Sequence, residues 1–253
     1  MKIYILRITL VLVLIICNSN LIFAQKTEAD SLLKKMDQTA SEIKDKSSNI
    51  EMILVNLSTK KEKIKKAVII QKDGDKKLFR YTFPKSDEGI ATLSLPNGEM
   101  YLYLPLFKKP KKITNLAEGR LNTSDFSIKD MAIMLYSENY NAEILQSRET
   151  NYVLDLNSKN DEVDYKHLVV YLHKKFFYPE KIEYYGESGI EKISTTKYKK
   201  IDGLWVAYEV TMQNIKKMHK TTIIMTDIKI NQGLKDDEFT LEKLSGQETN
   251  EKK

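Results

Sequence analysis

The side chains best suited to catalysis or metal binding in this chain of 253 residues are its three histidines. They are His167, His173 and His219. His167 and His173 are six residues apart in one predicted strand, so they face the same side about 20 Å apart, too far to share a metal ion. The sequence has no standard spacing of zinc ligands. We therefore expect neither a metal site nor a cofactor.

Motifs for other catalytic chemistry are also missing from the sequence. It has no Gly-x-Ser-x-Gly motif, phosphate-binding loop or dinucleotide fingerprint. The acidic pairs Asp161-Glu162 and Asp236-Asp237 fall in polar, turn-like stretches that are typical of solvated loops. We therefore predict that the protein is not an enzyme. A hydrolase of lipid-like substrates stays open as an alternative, because catalytic triads are recognised by geometry and not by residue order.

A basic cluster is the other candidate for chemistry. Lys108, Lys109, Lys111 and Lys112 surround Pro110 and can contact anionic lipid head groups, phosphate or a transient envelope protein partner. The alternative interpretation is a solvated loop or strand edge. No nucleic-acid-binding motif accompanies the cluster, so nucleic acid is not an expected partner.

The N-terminus predicts export. Lys2 and Arg7 precede the apolar run 8–16, and the small residue Ala24 stands before Gln25. A basic start, a short apolar middle and a small residue at the end are typical of a secretory signal peptide, here residues 1–24. The run is much shorter than the ~20 apolar residues of a membrane-spanning helix. We predict cleavage between Ala24 and Gln25, and a soluble periplasmic product with no transmembrane span.

Cys17 leaves a second form open, because a cysteine after an apolar run can be the lipidated first residue of a bacterial lipoprotein. Ile16 precedes it where that processing favours a small residue, so we prefer a cysteine inside a discarded signal peptide. Residues 25–253 then contain no cysteine, with 39 basic and 35 acidic side chains. Such a chain must be stabilised by its core and not by disulfides.

The first segment after the signal peptide has the pattern of an amphipathic helix, with Asp30 or Ser31 as the predicted cap. Apolar residues recur at three- and four-residue spacing, which predicts about four helical turns packed on the following sheet. These residues are Ala29, Leu32, Leu33, Met36, Ala40 and Ile43. The predicted polar face carries Lys34, Lys35, Asp37 and Glu42.

From about Ile50 the pattern changes to short β-favouring runs separated by turn signals such as Asp73-Gly74, Asn97-Gly98 and Asp202-Gly203. The runs are Ile50–Leu57, Lys66–Gln71, Lys77–Phe83, Ile90–Leu95, Glu99–Leu104, Asn151–Leu156, Lys166–His173, Glu180–Tyr185, Glu191–Tyr198, Leu204–Met212 and Thr221–Ile230. Their spacing predicts one domain built on an antiparallel meander, either a sandwich or a barrel-like sheet. Several runs are apolar on both faces, which favours a curved sheet whose convex side is partly covered.

A short apolar helix is predicted inside the meander, within residues 121–141. Ser127 to Asp130 resembles a capping box, and the following residues are apolar and rich in methionine. Because methionine adapts to irregular spaces, Met131, Met134 and Leu135 are candidates for an apolar lid that contacts a ligand. The alternative is ordinary core packing. Residues 236–244 are predicted to form a final strand or helical turn, followed by a frayed tail.

Two segments carry a family resemblance in their order and spacing. Tyr101 to Ile113 reads Tyr-Leu-Tyr-Leu-Pro-Leu-Phe-Lys-Lys-Pro-Lys-Lys-Ile, and Ser124 to Met131 reads Ser-Asp-Phe-Ser-Ile-Lys-Asp-Met. They resemble the outer-membrane lipoprotein-sorting (LolA-like) proteins, over about residues 66–244. Later residues that fit the pattern are Tyr178, Pro179, Glu183, Tyr184, Tyr185, Gly189, Lys192 and Trp205.

The resemblance implies an unclosed half-barrel of antiparallel strands, covered by a leading helix and a short inserted helix. In such a fold the helices cover a hydrophobic cavity that shields acyl chains. The expected function is therefore that of a non-enzymatic periplasmic carrier, with lipoprotein acyl chains or another apolar ligand as its partner. The alternative is an envelope module for protein interaction or lipid sensing that has no transport role.

Overall fold

The computed structural model describes residues 27–113, 124–126, 135–161 and 163–246. The predicted signal peptide, Cys17 and the cleavage site at Ala24-Gln25 lie outside these ranges. So do the predicted capping box at residues 127–130 and the candidate lid residues Met131 and Met134.

One antiparallel sheet of thirteen strands forms the body of the molecule. The strands are β1 (Asp45–Asn56), β2 (Glu62–Lys72), β3 (Lys76–Phe83), β4 (Ala91–Ser94), β5 (Met100–Tyr103), β6 (Pro110–Lys112), β7 (Tyr140–Ser147), β8 (Asn151–Ser158), β9 (His167–His173), β10 (Pro179–Gly186), β11 (Gly189–Ile201), β12 (Leu204–Asn214) and β13 (His219–Ile230). Their spatial order is β6-β5-β4-β3-β2-β1-β13-β12-β11-β10-β9-β8-β7. Pairing of β1 with β13 joins two meanders into one sheet that is not closed into a barrel. The predicted unclosed β fold is confirmed.

Tight turns connect the strands where the sequence predicts them. Asp73 and Gly74 have φ of 50° and 85° between β2 and β3, and Asp202 and Gly203 have φ of 48° and 86° between β11 and β12. Two successive positive φ angles match the twist of a β-hairpin, and Asp-Gly adopts them at low cost. Strands β6 and β7 were not predicted from the sequence. Within the described part of residues 121–141, only α2 (Tyr136–Asn139) is helical.

The leading helix, α1, includes residues 27–41 and packs on the sheet through Ala29, Leu32, Leu33 and Met36. The prediction that Asp30 or Ser31 caps the helix is wrong, because both lie inside it. The placement of Asp37 on the polar face is also wrong. Its side chain is buried because it accepts hydrogen bonds from the backbone of α2.

Both faces of the sheet bury apolar side chains. The concave face carries the main core, in which alternate residues of β1, β8 and β9 pack under α1. On the opposite face Leu78, Ala91 and Leu93 pack with Phe239 and Leu244. Leu244 belongs to α3 (Leu241–Leu244), so of the two alternatives predicted for residues 236–244, a strand or a helical turn, the structure has the helical turn. The convex side is therefore partly covered, as the two-sided apolar strands predict.

Candidate functional site

A cavity of about 950 Å³ lies on the concave side of the sheet, bounded by α1, α2 and strands from both meanders. This volume falls near the upper end of the range of roughly 300–1,000 Å³ that is typical of small-molecule pockets. Its apolar lining comes from Met36, Ala40, Ile43, Leu135, Tyr140, Val163, Leu168, Val206, Ala207 and Val210. The concave face is therefore not completely filled by its own core.

The apolar stripe of α1 has two roles along its length. Its first residues are buried against the sheet, whereas Ala40 is exposed and Ile43, just after the helix, is only partly buried. Both residues line the cavity. The stripe therefore anchors the helix at its beginning and gives an apolar wall to the cavity at its end.

Aromatic side chains form another wall. Tyr178 stacks on Tyr198 with ring centroids 4.1 Å apart and lies 5.6 Å from Trp205, and all three line the cavity. The Tyr198 hydroxyl donates a 3.0 Å hydrogen bond to the carbonyl oxygen of Pro179. Burial raises the pKa of Tyr198 above its ordinary value, so the ring stays neutral. Tyr184 and Trp205, which fit the family pattern in the sequence, both line this cavity as well.

Two buried carboxylates anchor the segments that precede and follow the predicted lid residues. Asp37 on α1 accepts hydrogen bonds from the backbone N–H groups of Tyr136 and Ser137, at 3.0 and 2.8 Å. These bonds satisfy amides at the start of α2. They also hold Leu135, the one described member of the predicted lid trio, beside the cavity that it lines.

Asp125 anchors the segment on the other side. Its Oδ2 lies 2.6 Å from His219 Nδ1 and accepts a 2.8 Å hydrogen bond from the Thr221 hydroxyl. The Asp125 backbone N–H donates to the same hydroxyl at 3.0 Å. The adjacent Phe126 is buried in the main core. The Asp-Phe pair that carries part of the family resemblance is therefore a structural anchor on β13.

The polar end of the cavity is formed by Lys46, Gln71 and Lys77, which lie on β1, β2 and β3. Burial lowers the pKa of Lys46 to about 8. Burial also lowers the pKa of Lys77 to about 8, and the nearby charge of Lys46 contributes to the shift. Neither lysine was a candidate site residue from the sequence. The available signal was alternation along β1, which places Lys46 on the same face as Ile50.

The basic cluster lies elsewhere, in the turn after β5 and in the edge strand β6. Lys108, Lys109, Lys111 and Lys112 are all exposed and do not line the cavity. Lys112 forms an ion pair with Glu99. The other three form no ion pair within the described ranges of the chain.

The three histidines have separate surroundings. His167 Nε2 lies 2.6 Å from Asp155 Oδ1, and His173 stacks on Phe176 with ring centroids 4.8 Å apart. His219 belongs to the Asp125 anchor. Among the residues that the structure describes, no three His, Cys, Asp or Glu side chains are close enough together to hold a metal ion.

Comparisons with known proteins place the chain by family and by fold. A family model described as "Uncharacterized protein" matches residues 73–246. A domain from Vibrio parahaemolyticus named for outer membrane lipoprotein sorting is 24% identical, with a TM-score of 0.75 over 87% of this chain and 99% of that chain. A DUF1329 family protein from Desulfovibrio piger is 20% identical, with a TM-score of 0.78 over 87% and 99%. A LolA superfamily protein from Nitrosomonas europaea is 22% identical, with a TM-score of 0.68 over 84% and 97%.

These structures confirm the LolA-like fold that the sequence resemblance implies. None of the curated proteins matches the chain. In the described residues, no helix has both the length and the apolar character to cross a membrane.

Proposed function

The chain belongs to the family whose model matches residues 73–246, and from its LolA-like fold we propose that it is a non-enzymatic carrier of lipidated or other apolar cargo. The observation that carries the proposal is the cavity of about 950 Å³ between the concave face and the helices. Its walls are aliphatic and aromatic over most of their extent. The lipoprotein-sorting name of one structural relative supports acyl chains as the class of cargo.

Burial of an acyl chain supplies the binding free energy. Each methylene removed from water contributes roughly 0.8 kcal/mol, so a cavity that holds only part of a chain binds it usefully. Release requires a competing apolar site or a rearrangement of α1 or α2 that reduces the cavity. Either change acts through the difference in affinity between two states of the carrier.

The proposed place of action is the periplasm, the compartment that the predicted signal peptide at residues 1–24 indicates. An apolar chain exposed to water between two membranes is costly, and a protein cavity removes that cost. The three histidines have structural partners or stack on an aromatic ring, an arrangement that favours a binding role over hydrolysis.

We expect the purified protein to retain or bind apolar ligands. Native mass spectrometry and solvent extraction should detect co-purifying lipid, and an environment-sensitive apolar fluorophore should bind with saturable, blue-shifted emission. A protein that carries no lipid and binds no such probe would contradict the carrier proposal. A screen with ester and phosphodiester substrates tests the hydrolase alternative, which predicts turnover that is lost when the histidines are changed.

We further propose that the turn after β5 docks the carrier on an anionic membrane surface. Leu106 and Phe107 at the tip of this turn are 85% and 67% exposed. Lys108, Lys109 and Lys111 follow them in the chain. An apolar tip with adjacent cations matches the interface of an anionic bilayer, where apolar groups insert and each lysine contributes about 1 kcal/mol.

The docking proposal predicts that Lys108→Glu, Lys109→Glu and Lys111→Glu together abolish binding to vesicles that contain anionic lipid. Co-sedimentation at low salt should show a loss of at least about a hundredfold, since three favourable charges become unfavourable. The matched control changes Lys60, Lys61 and Lys63 to Glu, which alters net charge equally at another exposed site. Vesicle binding that survives in the first variant, or an effect of the same size in the control, would contradict membrane docking. If the first variant instead loses only the capture of an envelope protein, the cluster is a protein contact.

A further inference from the structure

Three polar residues form one row across neighbouring strands at an end of the cavity. Lys46 on β1 is paired with Gln71 on β2, and Gln71 is paired with Lys77 on β3. Residues directly opposite one another on paired strands point to the same face. Adjacent strands are spaced by about 4.8 Å, so the Cα atoms of the two lysines are roughly 10 Å apart. All three side chains reach the cavity.

The neighbouring rows on the same face are apolar or nearly so. Four residues along β1, the row is Ile50, Ala67 and Tyr81, all of which belong to the main core. Between this apolar row and the lysines lies a row of Ser48, Ile69 and Phe79. The concave face therefore changes from apolar to cationic within four residues of β1.

The intermediate row also contains an unusual polar group. The Ser48 hydroxyl is buried and has no hydrogen-bond partner within the described part of the chain. Buried hydroxyl groups are normally hydrogen-bonded. It lies between the core row and the lysine row and does not itself line the cavity.

The two lysines lack a counter-charge among the residues described by the structure. The one hydrogen-bond contact of Lys46 there is a 3.8 Å approach of Nζ to the Met225 sulfur. Lys77 forms neither an ion pair nor a side-chain hydrogen bond with those residues. The lowered pKa values of both amines agree with partly buried cations, and the charge of Lys46 contributes to the shift at Lys77.

The three carboxylates that line the cavity are either already hydrogen-bonded to the protein backbone or exposed. Asp37 accepts its two hydrogen bonds from α2, and Glu138 and Asp164 are exposed residues of α2 and of the β8–β9 loop. A partly buried pair of cations without a protein anion has an electrostatic cost in the free protein. An anionic ligand would offset that cost.

We propose that Lys46, Gln71 and Lys77 bind the anionic oxygen head group of an amphiphile whose alkyl chain occupies the apolar part of the cavity. The inference rests on the proposed carrier function and adds to it an orientation of the bound cargo. The cargo enters with its acyl chain against the aliphatic and aromatic walls and its phosphate or carboxylate at the lysine row. Gln71, between the two amines, donates a hydrogen bond from its amide.

The test compares probes that share a twelve-carbon chain and differ in the head group, at concentrations below micelle formation. Calorimetry should show that the unchanged protein binds dodecyl phosphate at least about tenfold more tightly than dodecanol, because two charge-assisted hydrogen bonds are added. The double variant Lys46→Met, Lys77→Met should lose this preference and still bind dodecanol. Methionine retains the length of the lysine stem without the charge, so the fold should be kept.

The control variant Lys61→Met, Lys63→Met makes the same change in net charge at exposed positions and should keep the preference. Equal binding of the two probes by the unchanged protein, or a preference that persists in the Lys46 and Lys77 variant, overturns the inference and leaves the carrier proposal standing. Binding of neither probe removes the carrier proposal together with the inference. Inorganic phosphate is the third ligand, and if it binds as tightly as dodecyl phosphate, the row is an anion site that does not recognise an amphiphile.

Discussion

Replacing Asp125 by alanine is expected to lower the free energy of unfolding by about 3 kcal/mol, measured by urea denaturation at neutral pH. The Asp125 carboxylate is only 4% exposed, and it bonds both His219 and Thr221. Without it, the buried Thr221 hydroxyl loses its acceptor and the His219 ring nitrogen loses its partner. The segment that contains Phe126 then keeps only the backbone N–H of residue 125 as a polar attachment to the Thr221 hydroxyl.

A second histidine–aspartate pair provides the control, because it has the same separation in a more exposed place. His167 and Asp155 also lie 2.6 Å apart, but their side chains are 34% and 19% exposed. Asp155→Ala should therefore cost less than about 1 kcal/mol. Equal losses in the two variants would show that burial does not determine the contribution of the Asp125 anchor. Asp125→Asn, which retains the shape and one acceptor, should lie between the two.

The strands and turns of this fold could be predicted because their determinants are local. Alternating or continuous β-favouring runs identify eleven of the strands, and Asp73-Gly74 and Asp202-Gly203 identify two hairpins. Edge strand β6 was missed because its three residues, Pro110–Lys112, have neither an apolar pattern nor a typical strand length. Strand β7 was missed because its first two residues, Tyr140 and Asn141, fall in the segment 121–141 in which a helix was predicted.

The chemistry of the cavity depends on contacts between distant residues, which a single sequence does not specify. Asp37 resembles a solvent-facing residue of an amphipathic helix, and its burial follows from the backbone of α2, a hundred positions later. Lys46 and Lys77 are ordinary surface lysines by composition. The strand register that places them with Gln71 in one row becomes visible only when β1, β2 and β3 are paired.

The sequence pattern also could not distinguish a filled core from a cavity. Ala40 and Ile43 continue the apolar stripe of α1 with the same spacing as Leu33 and Met36, which are buried. Leu33 and Met36 pack in the main core, whereas Ala40 and Ile43 line the cavity, and this difference depends on the tertiary arrangement of helix and sheet. The resemblance to LolA-like proteins predicted a cavity, and the structure shows which residues line it.

Replacing Ala40 by tryptophan is expected to weaken the binding of an alkyl-chain probe by roughly tenfold to a hundredfold. The exposed alanine lines the cavity from the end of α1, so an indole at this position can occupy space that the ligand needs. Loss of two to four buried methylenes, at about 0.8 kcal/mol each, corresponds to this change in the dissociation constant. Fluorescence titration with the apolar probe measures the effect.

Gln38→Trp is the matched control, because residue 38 is exposed on the same helix but does not line the cavity. Two helical positions correspond to a rotation of about 200°, so this indole points away from position 40. Both variants carry the same added surface and a similar helix propensity cost, and both should unfold at nearly the same urea concentration. If Gln38→Trp weakens binding as much as Ala40→Trp, or if neither does, the alkyl chain binds somewhere other than the cavity beneath α1. A loss of probe binding confined to Ala40→Trp would mean that the ligand and the indole compete for the same space. A carrier that holds its cargo between helix and sheet must show this competition.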